Sequence, residues 1–299
     1  MLTTQGNDNI QRLADKAFAY GKTEGDHNTS IKGLTAHIRN NPTEPLHCIY
    51  TLSLSMILQG GKQLAIENDL LPCVAGQSML TTFDLPVVSH VTEATRYNPF
   101  VALVLKLDYE LIIQTCAELE LDKPARDMKY KAISIHDIDA GLCNAVMRLL
   151  DLEKEPIYLE SLAPLIKKEI ITRLLLGPHG AHLRYLASSG SPSTKILNVV
   201  TWMKSNLASD VDINALAERA HMSASSFRQH FKSLTGTSPL QYIKNLRLQE
   251  ARDKMLLNGL DASQASGLVG YESASQFSRE YSRLFGFPPQ KDIQRLRQA

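Results

Sequence analysis

The sequence predicts an α+β chain: a strand-rich N-terminal part that turns helical, then an all-helical C-terminal part holding two helix-turn-helix units. Three observations carry this. Leu52, Leu54, Met56 and Leu58 alternate with Thr51, Ser53, Ser55 and Ile57, the period of a half-buried strand. From Tyr109 onward the apolar spacing becomes helical. Near the C-terminus, Phe227, Phe231, Leu234, Gly236, Pro239 and Arg247 recur fifty positions later as Phe277, Tyr281, Leu284, Gly286, Pro289 and Arg297. A repeat of that period with a helical grammar marks two copies of one supersecondary unit.

Taken in order, Thr51–Leu58 is expected as a strand, Gln59-Gly60-Gly61 as a turn, and Lys62–Asn68 as the returning strand. Shorter extended pieces fall around Ser78–Thr82 and Val87–Val91. Phe100–Leu107 is nearly all apolar and suits a strand buried on both faces. Several short strands with polar turns predict a small barrel or sandwich. Helices are expected over Tyr109–Leu119, Asp137–Leu152 and Leu159–Leu175. In the middle one, Leu142, Val146 and Leu149 fall at i, i+4 and i+7, with Leu150 on the same face; the first three are the expected seam for pairing two chains.

Residues 187–193 are small, polar and uncharged, with Gly and Pro, and read as a linker. The 299 residues suit about two domains. The expected division is an effector-sensing and dimerisation domain over 1–187, a linker over 188–193 and a DNA-binding domain over 194–299.

In the C-terminal part, Ile196, Val199, Val200, Met203 and Leu207 give a packing helix, in which Trp202 is expected to pack rather than to act. In the first copy, Phe227, Phe231 and Leu234 form the apolar face of the second helix, and Ser225, Arg228, Gln229 and Lys232 a polar one. Ser223 is placed to cap it. Leu240–Leu257 should be one long helix, with Pro239 in its first turn and Asn258-Gly259 ending it. In the second copy, Phe277, Tyr281 and Leu284 are apolar, and Ser275, Ser278, Arg279 and Ser282 polar.

Short hydroxyls, amides and Arg are the side chains that reach base edges and phosphates from a helix in the major groove. An ordinary amphipathic surface helix would account for either copy alone; two copies in fixed relation favour DNA. The expected DNA-facing set is Ser223, Ser225, Ser226, Arg228, Gln229 and Lys232, then Ser273, Ser275, Gln276, Ser278 and Arg279. Arg228, Gln229, Gln276 and Arg279 are expected on bases and Lys232 on phosphate. A rigid connecting helix would set both heads into successive grooves, about 34 Å apart. Charge agrees: residues 194–299 carry fourteen Lys and Arg against nine Asp and Glu, whereas the whole chain is only +1.

Residues 194–297 resemble the paired helix-turn-helix domain of the AraC family of bacterial transcription regulators. The matching residues include Leu216-Ala217, Met222-Ser223, Phe227, Phe231-Lys232, Gly236, Ser238-Pro239, Tyr242 and Arg247, then Val269-Gly270-Tyr271, Phe277, Ser278-Arg279, Phe285-Gly286 and Pro288-Pro289. Ala262, Ala265 and Ser266 depart from the family's bulkier pattern, so the first helix of the second copy is expected to pack less firmly. Gln229 stands where many members carry Arg. Residues from about 32 to 187 resemble the N-terminal domain of one AraC subgroup, through Leu58-Gln59-Gly60, Lys62, Ala75-Gly76, Asp84-Leu85-Pro86, Glu93-Ala94, Pro99-Phe100 and Gly177-Pro178. The resemblance implies a cupin-like small β-barrel followed by helices, a small-molecule effector, a homodimer, double-stranded DNA as target and RNA polymerase as partner. Alternatives are a ligand-free interaction scaffold in place of the sensor, or a cupin enzyme fused to DNA-binding helices.

Other chemistry is thin. No GxSxG, Walker A or Rossmann glycine run is present, so no catalytic residue and no cofactor is assigned. His47, His90 and His136 lack close His-x-His spacing, so no metal is expected. Cys48, Cys73, Cys116 and Cys143 lack CxxC spacing; a sensing thiol among the first three is weighed against small buried hydrophobes, which is favoured. Effector-binding residues are unassigned. With no run of eighteen apolar residues and no signal-peptide plan at the N-terminus, a cytoplasmic protein without membrane contact is expected.

Overall fold

The computed structural model describes residues 4–21, 23–66, 69–122, 130–188 and 192–298, with 4–7 and 298 as backbone only. It divides into two compact units. One comprises Met1–Pro45, Tyr50–Phe83 and Ser89–Ser191; the other comprises Leu46–Ile49, Asp84–Val88 and Pro192–Ala299.

The chain opens with helix α1 (Thr4–Phe18) and then strands β1 (Gly25–Asn28), β2 (Leu34–Arg39), β3 (Leu46–Tyr50), β4 (Ser53–Gln59), β5 (Gly61–Ile66), β6 (Asp69–Val74), β7 (Gln77–Thr81), β8 (Leu85–Glu93) and β9 (Phe100–Lys106). Helix α2 (Tyr109–Glu118), strand β10 (Ile133–Asp137), helix α3 (Ala140–Asp151), a 3-10 turn (Leu152–Lys154), α4 (Pro156–Leu176) and α5 (Gly180–Ala187) follow. Hydrogen bonding organises the strands as a six-stranded sheet, β1-β2-β9-β4-β7-β10, and a four-stranded sheet, β3-β8-β5-β6. The chain passes from one sheet to the other at the β4–β5 and β6–β7 turns, where Gly60 and Gly76 have positive φ.

The core of the first unit lies between the six-stranded sheet and the helices. Leu54, Met56 and Leu58 of β4, Leu80 of β7 and Leu103 and Leu105 of β9 join Ile10 and Leu13 of α1, Leu142, Val146 and Leu149 of α3, and Ile170, Ile171 and Leu174 of α4. The alternate residues of β4 and β7, Ser53, Ser55, Met79 and Thr81, are buried as well. Both faces of this sheet are therefore covered; β9 reads as a continuous apolar run for that reason, whereas β4, whose alternation predicted a half-buried strand, is buried on both faces with Ser53 and Ser55 on the second.

The strands begun at Thr51 and Lys62 in the sequence start instead at Ser53 and Gly61; residues 67–68 lie outside the described residues. The predicted helices match α2, α3 and α4 within three residues at each end. The pairing seam needs correction. Leu142, Val146 and Leu149 are 3%, 1% and 0% exposed, packed against α1 and α4 in this unit's own core, so they face no second chain. The exposed apolar row lies on α4, where Tyr158, Leu162 and Leu165 fall at i, i+4 and i+7 beside Ile157, which is 84% exposed.

A buried histidine ties α5 to the sheet edge. His179, 2% exposed, has the Ser78 hydroxyl 3.0 Å from Nε2 and the Ser134 hydroxyl 2.7 Å from Nδ1. Burial, then the neighbouring His136 and His182, push its pKa down to about 3, so the ring is neutral at pH 7. A neutral imidazole offers one donor and one acceptor, and two hydroxyls satisfy both.

Cys73, Cys116 and Cys143 lack the lowered pKa of a reactive thiol. Burial pushes Cys73 and Cys143 up to about 11 each and also raises Cys116.

The second unit contains α6 (Pro192–Ser205), α7 (Ile213–Arg219), α8 (Ala224–Thr235), α9 (Pro239–Asn258), α10 (Ala262–Leu268), α11 (Ala274–Phe285) and α12 (Pro289–Gln298). Of the expected linker, residues 189–191 lie outside the described residues, and Pro192 and Ser193 already belong to α6. Trp202 packs its ring under the Arg219 guanidinium at 4.6 Å.

Candidate nucleic-acid interface

Two helix pairs, α7–α8 and α10–α11, are built by the same local rules. Asp212 caps α7 by accepting from the N–H groups of Asn214 and Ala215. Asp261 caps α10 in a full capping box with Gln264. Each first helix ends in the same two backbone bonds: His221 N–H to Glu218 O and Met222 N–H to Ala217 O in one copy, Gly270 N–H to Gly267 O and Tyr271 N–H to Ser266 O in the other. The residue just past each end is left-handed, His221 at φ 51° and Gly270 at φ 84°. Glycine is required at 270, because a Cβ there would stand 2.8 Å from the Ala208 backbone. The second turn is one residue longer, which places Ser223 and Ser273 as the caps of α8 and α11.

Each second helix then buries one face. Phe227, Phe231 and Leu234 of α8 are buried, as are Phe277, Tyr281 and Phe285 of α11. Leu284, expected on the apolar face, is only partly buried, and Phe285 takes its place in the core. Both helices end on a left-handed glycine, Gly236 and Gly286, at φ 78° and 79°. Under α11, Ala265 and Ser266 are buried, and the Ser266 hydroxyl donates to Ser263 O at 2.8 Å. Below them Arg252 of α9 and Asp292 of α12 form a buried ion pair at 2.9 Å, and the Tyr281 hydroxyl donates to the same carboxylate at 2.9 Å.

The opposite faces are open. Ser223, Ser225, Arg228, Gln229 and Lys232 of the first copy are exposed or half-exposed, as are Ser273, Ser275, Gln276 and Arg279 of the second; Ser226 and Ser278 are half-buried. Ser223 and Ser273 have their hydroxyls engaged as caps, accepting from the backbone N–H of Ser226 and of Gln276 respectively, at 3.3 Å each. Their first task is therefore to start the helix. Ser223 also shares a 3.1 Å contact with the Ser225 hydroxyl.

Residues that sequence reasoning passed over surround Gln276. Glu280, one turn further along α11, accepts from Lys244 Nζ of α9 at 3.0 Å, the Tyr271 hydroxyl at 2.8 Å and Gln276 Nε2 at 3.2 Å. Burial pushes this carboxyl up, but the hydrogen bonds from Lys244, Gln276 and Tyr271 outweigh it and hold it below its ordinary value. Arg283, a further cation on α11, was likewise missed. As for the histidines weighed as metal ligands, His47 lies in β3, His90 in β8 and His136 in β10, on separate strands.

Comparison with known proteins places this geometry. The family described as the AraC-type transcriptional regulator N-terminus matches residues 30–182, just over half of the chain, and a helix-turn-helix domain family matches residues 216–295. The RCS-specific HTH-type transcriptional activator RclR of Escherichia coli is 38% identical over 86 residues, covering 29% of this chain and 30% of that protein. The XylDLEGF operon transcriptional activator 1 of Pseudomonas putida is 26% identical over 204 residues, covering 65% of this chain and 61% of that protein. The chain thus spans less than two thirds of the length of these curated relatives. Among solved structures, an apo form of ToxT from Vibrio cholerae, carrying a single substitution, superposes with a TM-score of 0.61 at 11% identity, covering 91% of this chain and 98% of that one. A second ToxT structure, with unsaturated fatty acid bound, gives 0.60 at 10% identity, covering 89% and 96%. At such identities the likeness concerns the fold. The match over residues 30–182, joined to the duplicated helix pairs, shows that this chain belongs to the AraC family of transcriptional regulators.

Proposed function

We propose that this protein is a sequence-specific DNA-binding transcriptional regulator that reads double-stranded DNA through α8 and α11. The observation that carries this is the equivalence of the two helices: each buries an aromatic face, starts on a serine cap, ends on a left-handed glycine and leaves its hydroxyl, amide and guanidinium face open. Arg228, Gln229, Gln276 and Arg279 contact bases; Ser225 and Ser275 stand beside them; Lys232 contacts phosphate. Ser223, Ser226, Ser273 and Ser278 support the ends and flanks of the helices. Mobility shift of the full chain on its own promoter region, across a salt series, tests this. Lys232→Ala should reduce the salt slope by about one and leave base preference alone, whereas Arg228→Ala should relax preference at one position. Binding of random duplex with equal affinity would refute the assignment.

The first unit is assigned the sensing and pairing roles, with a linker that ends before Pro192, where α6 opens the DNA-binding domain, a cytoplasmic location and RNA polymerase as the partner on DNA. Support for an effector comes from the fold shared with a protein solved with fatty acid bound, and from one buried charge. Lys62, 8% exposed, shares its face of β5 with the fully buried Leu64 and stands opposite the fully buried Cys73 in the β5–β6 register. Its ammonium donates to the Tyr50 hydroxyl at 3.2 Å, and that hydroxyl donates to Ser89 Oγ at 2.8 Å. Among the described residues no carboxylate pairs with it. A buried ammonium without an anion is costly. Pairing of two chains is assigned to the exposed row of α4, Tyr158, Leu162 and Leu165.

A further inference from the structure

Gln276 is hydrogen-bonded along its own helix. Its Nε2 donates to Glu280 Oε1, and the same carboxylate is held by Lys244 from α9 and by Tyr271 from the turn before α11. An ionised carboxylate only accepts hydrogen bonds, so the amide must direct its NH2 group at Glu280. That choice of amide orientation is thereby fixed by chemistry rather than by shape, since oxygen and nitrogen of an amide are nearly the same size. With one N–H engaged, the outward edge of Gln276 offers one acceptor, Oε1, beside one remaining donor.

We propose that Glu280 is a positioning residue that makes Gln276 selective for adenine over guanine. Adenine presents a donor, N6–H, next to an acceptor, N7, and this matches one acceptor beside one donor. Guanine presents two acceptors, O6 and N7, and calls for two donors. An amide tied to Glu280 has only one donor left. Lys244 cancels the charge that would otherwise set a carboxylate against the DNA phosphates, and its place on the connecting helix ties the device to the frame of the first copy. The first copy lacks the device, because Ser226 and His230 stand at the positions fifty residues before Gln276 and Glu280. The two heads therefore read by different chemistry. This inference rests on the proposal that α11 reads bases.

The test is selection of bound duplexes from a randomised library by the full chain, followed by sequencing, for wild type, Gln276→Ala, Glu280→Gln and Glu280→Ala. Wild type should enrich adenine at one position of the second half-site, and Gln276→Ala should flatten that position. Both Glu280 variants should lower its adenine-to-guanine ratio roughly tenfold, within the range one bidentate base contact discriminates, while other positions hold. Retained preference in the first half-site reports that each variant is folded. If Gln276→Ala flattens the position and both Glu280 variants keep the wild-type ratio, Gln276 reads the base and the positioning role is wrong. If Gln276→Ala changes no position, the assignment of Gln276 to a base fails and the inference fails with it.

Discussion

Arg247 and Arg297, fifty positions apart, do the same work in the two copies. Arg247 donates from Nε to Leu207 O and from Nη2 to Ser209 O, each at 2.7 Å, closing the chain that leaves α6. Arg297 donates from Nη2 to Met255 O at 2.9 Å, in the last turn of α9. Each guanidinium thus ties the helix after a reading head to the end of the helix before it. Arg247 makes two such bonds and Arg297 one. Hydrogen bonds to charged groups contribute about 1.5–3 kcal/mol each at most. Urea unfolding should show Arg247→Ala destabilising the helical unit by about 1–3 kcal/mol, and replacement of the exposed Arg297 by Ala costing less. Equal losses would mean that the second backbone bond of Arg247 adds nothing to stability.

His179 makes the first unit sensitive to acid. Its folded pKa lies near 3, below the ordinary 6.5 of the unfolded chain. A depressed pKa contributes stability that is present above pH 6.5 and is lost progressively as pH falls from there toward 3. One pH unit corresponds to about 1.4 kcal/mol, so the loss is on the order of a few kcal/mol. Thermal melts from about pH 7.5 to about pH 4 should show this decline. The His179→Gln variant, though less stable at neutral pH, should show a shallower one. A variant with the wild-type slope would remove His179 from the account.

Pairing through α4 separates two variants. Leu165 is 62% exposed, so Leu165→Glu should leave the circular dichroism and melting of the fold near wild type and dissociate the dimer in sedimentation. Val146→Glu places an unpaired charge in the core and should unfold the first unit instead. A Leu165→Glu protein that remains dimeric would move the interface elsewhere.

Lys62→Met should raise the melting temperature. Replacing a buried ammonium that no carboxylate pairs by an apolar side chain of similar volume removes its desolvation cost, and a site kept for binding is less stable than it need be. A lowered melting temperature would make the Lys62–Tyr50–Ser89 chain a structural element rather than a waiting site.

Much of the helical unit was legible because its core residues are large and evenly spaced. Phe227, Phe231 and Leu234 announce a helix face, and Gly236 with Pro239 mark where it stops and the next begins. The first unit was less legible. Gly25–Asn28 has no apolar side chain and becomes a strand only because β2 supplies a partner. Half of α1's inward face is alanine, Ala14 and Ala17, which gives a faint periodic signal. Periodicity identified the apolar face of α3 but not what covers it, so Leu142, Val146 and Leu149 pointed to a second chain when α1 and α4 were the partners. Glu280 was invisible for the same reason: its importance lies in Lys244, thirty-six positions away, which only the packing of α11 on α9 brings within 3.0 Å.

The central claim is that one chain reads DNA twice. Hydroxyl-radical footprinting of the full chain on its promoter tests it most directly. Two protected patches should appear on one face of the duplex, about 34 Å apart. Arg228→Ala should weaken one patch and Arg279→Ala the other. If both variants protect both patches with wild-type affinity, α8 and α11 are not the reading helices.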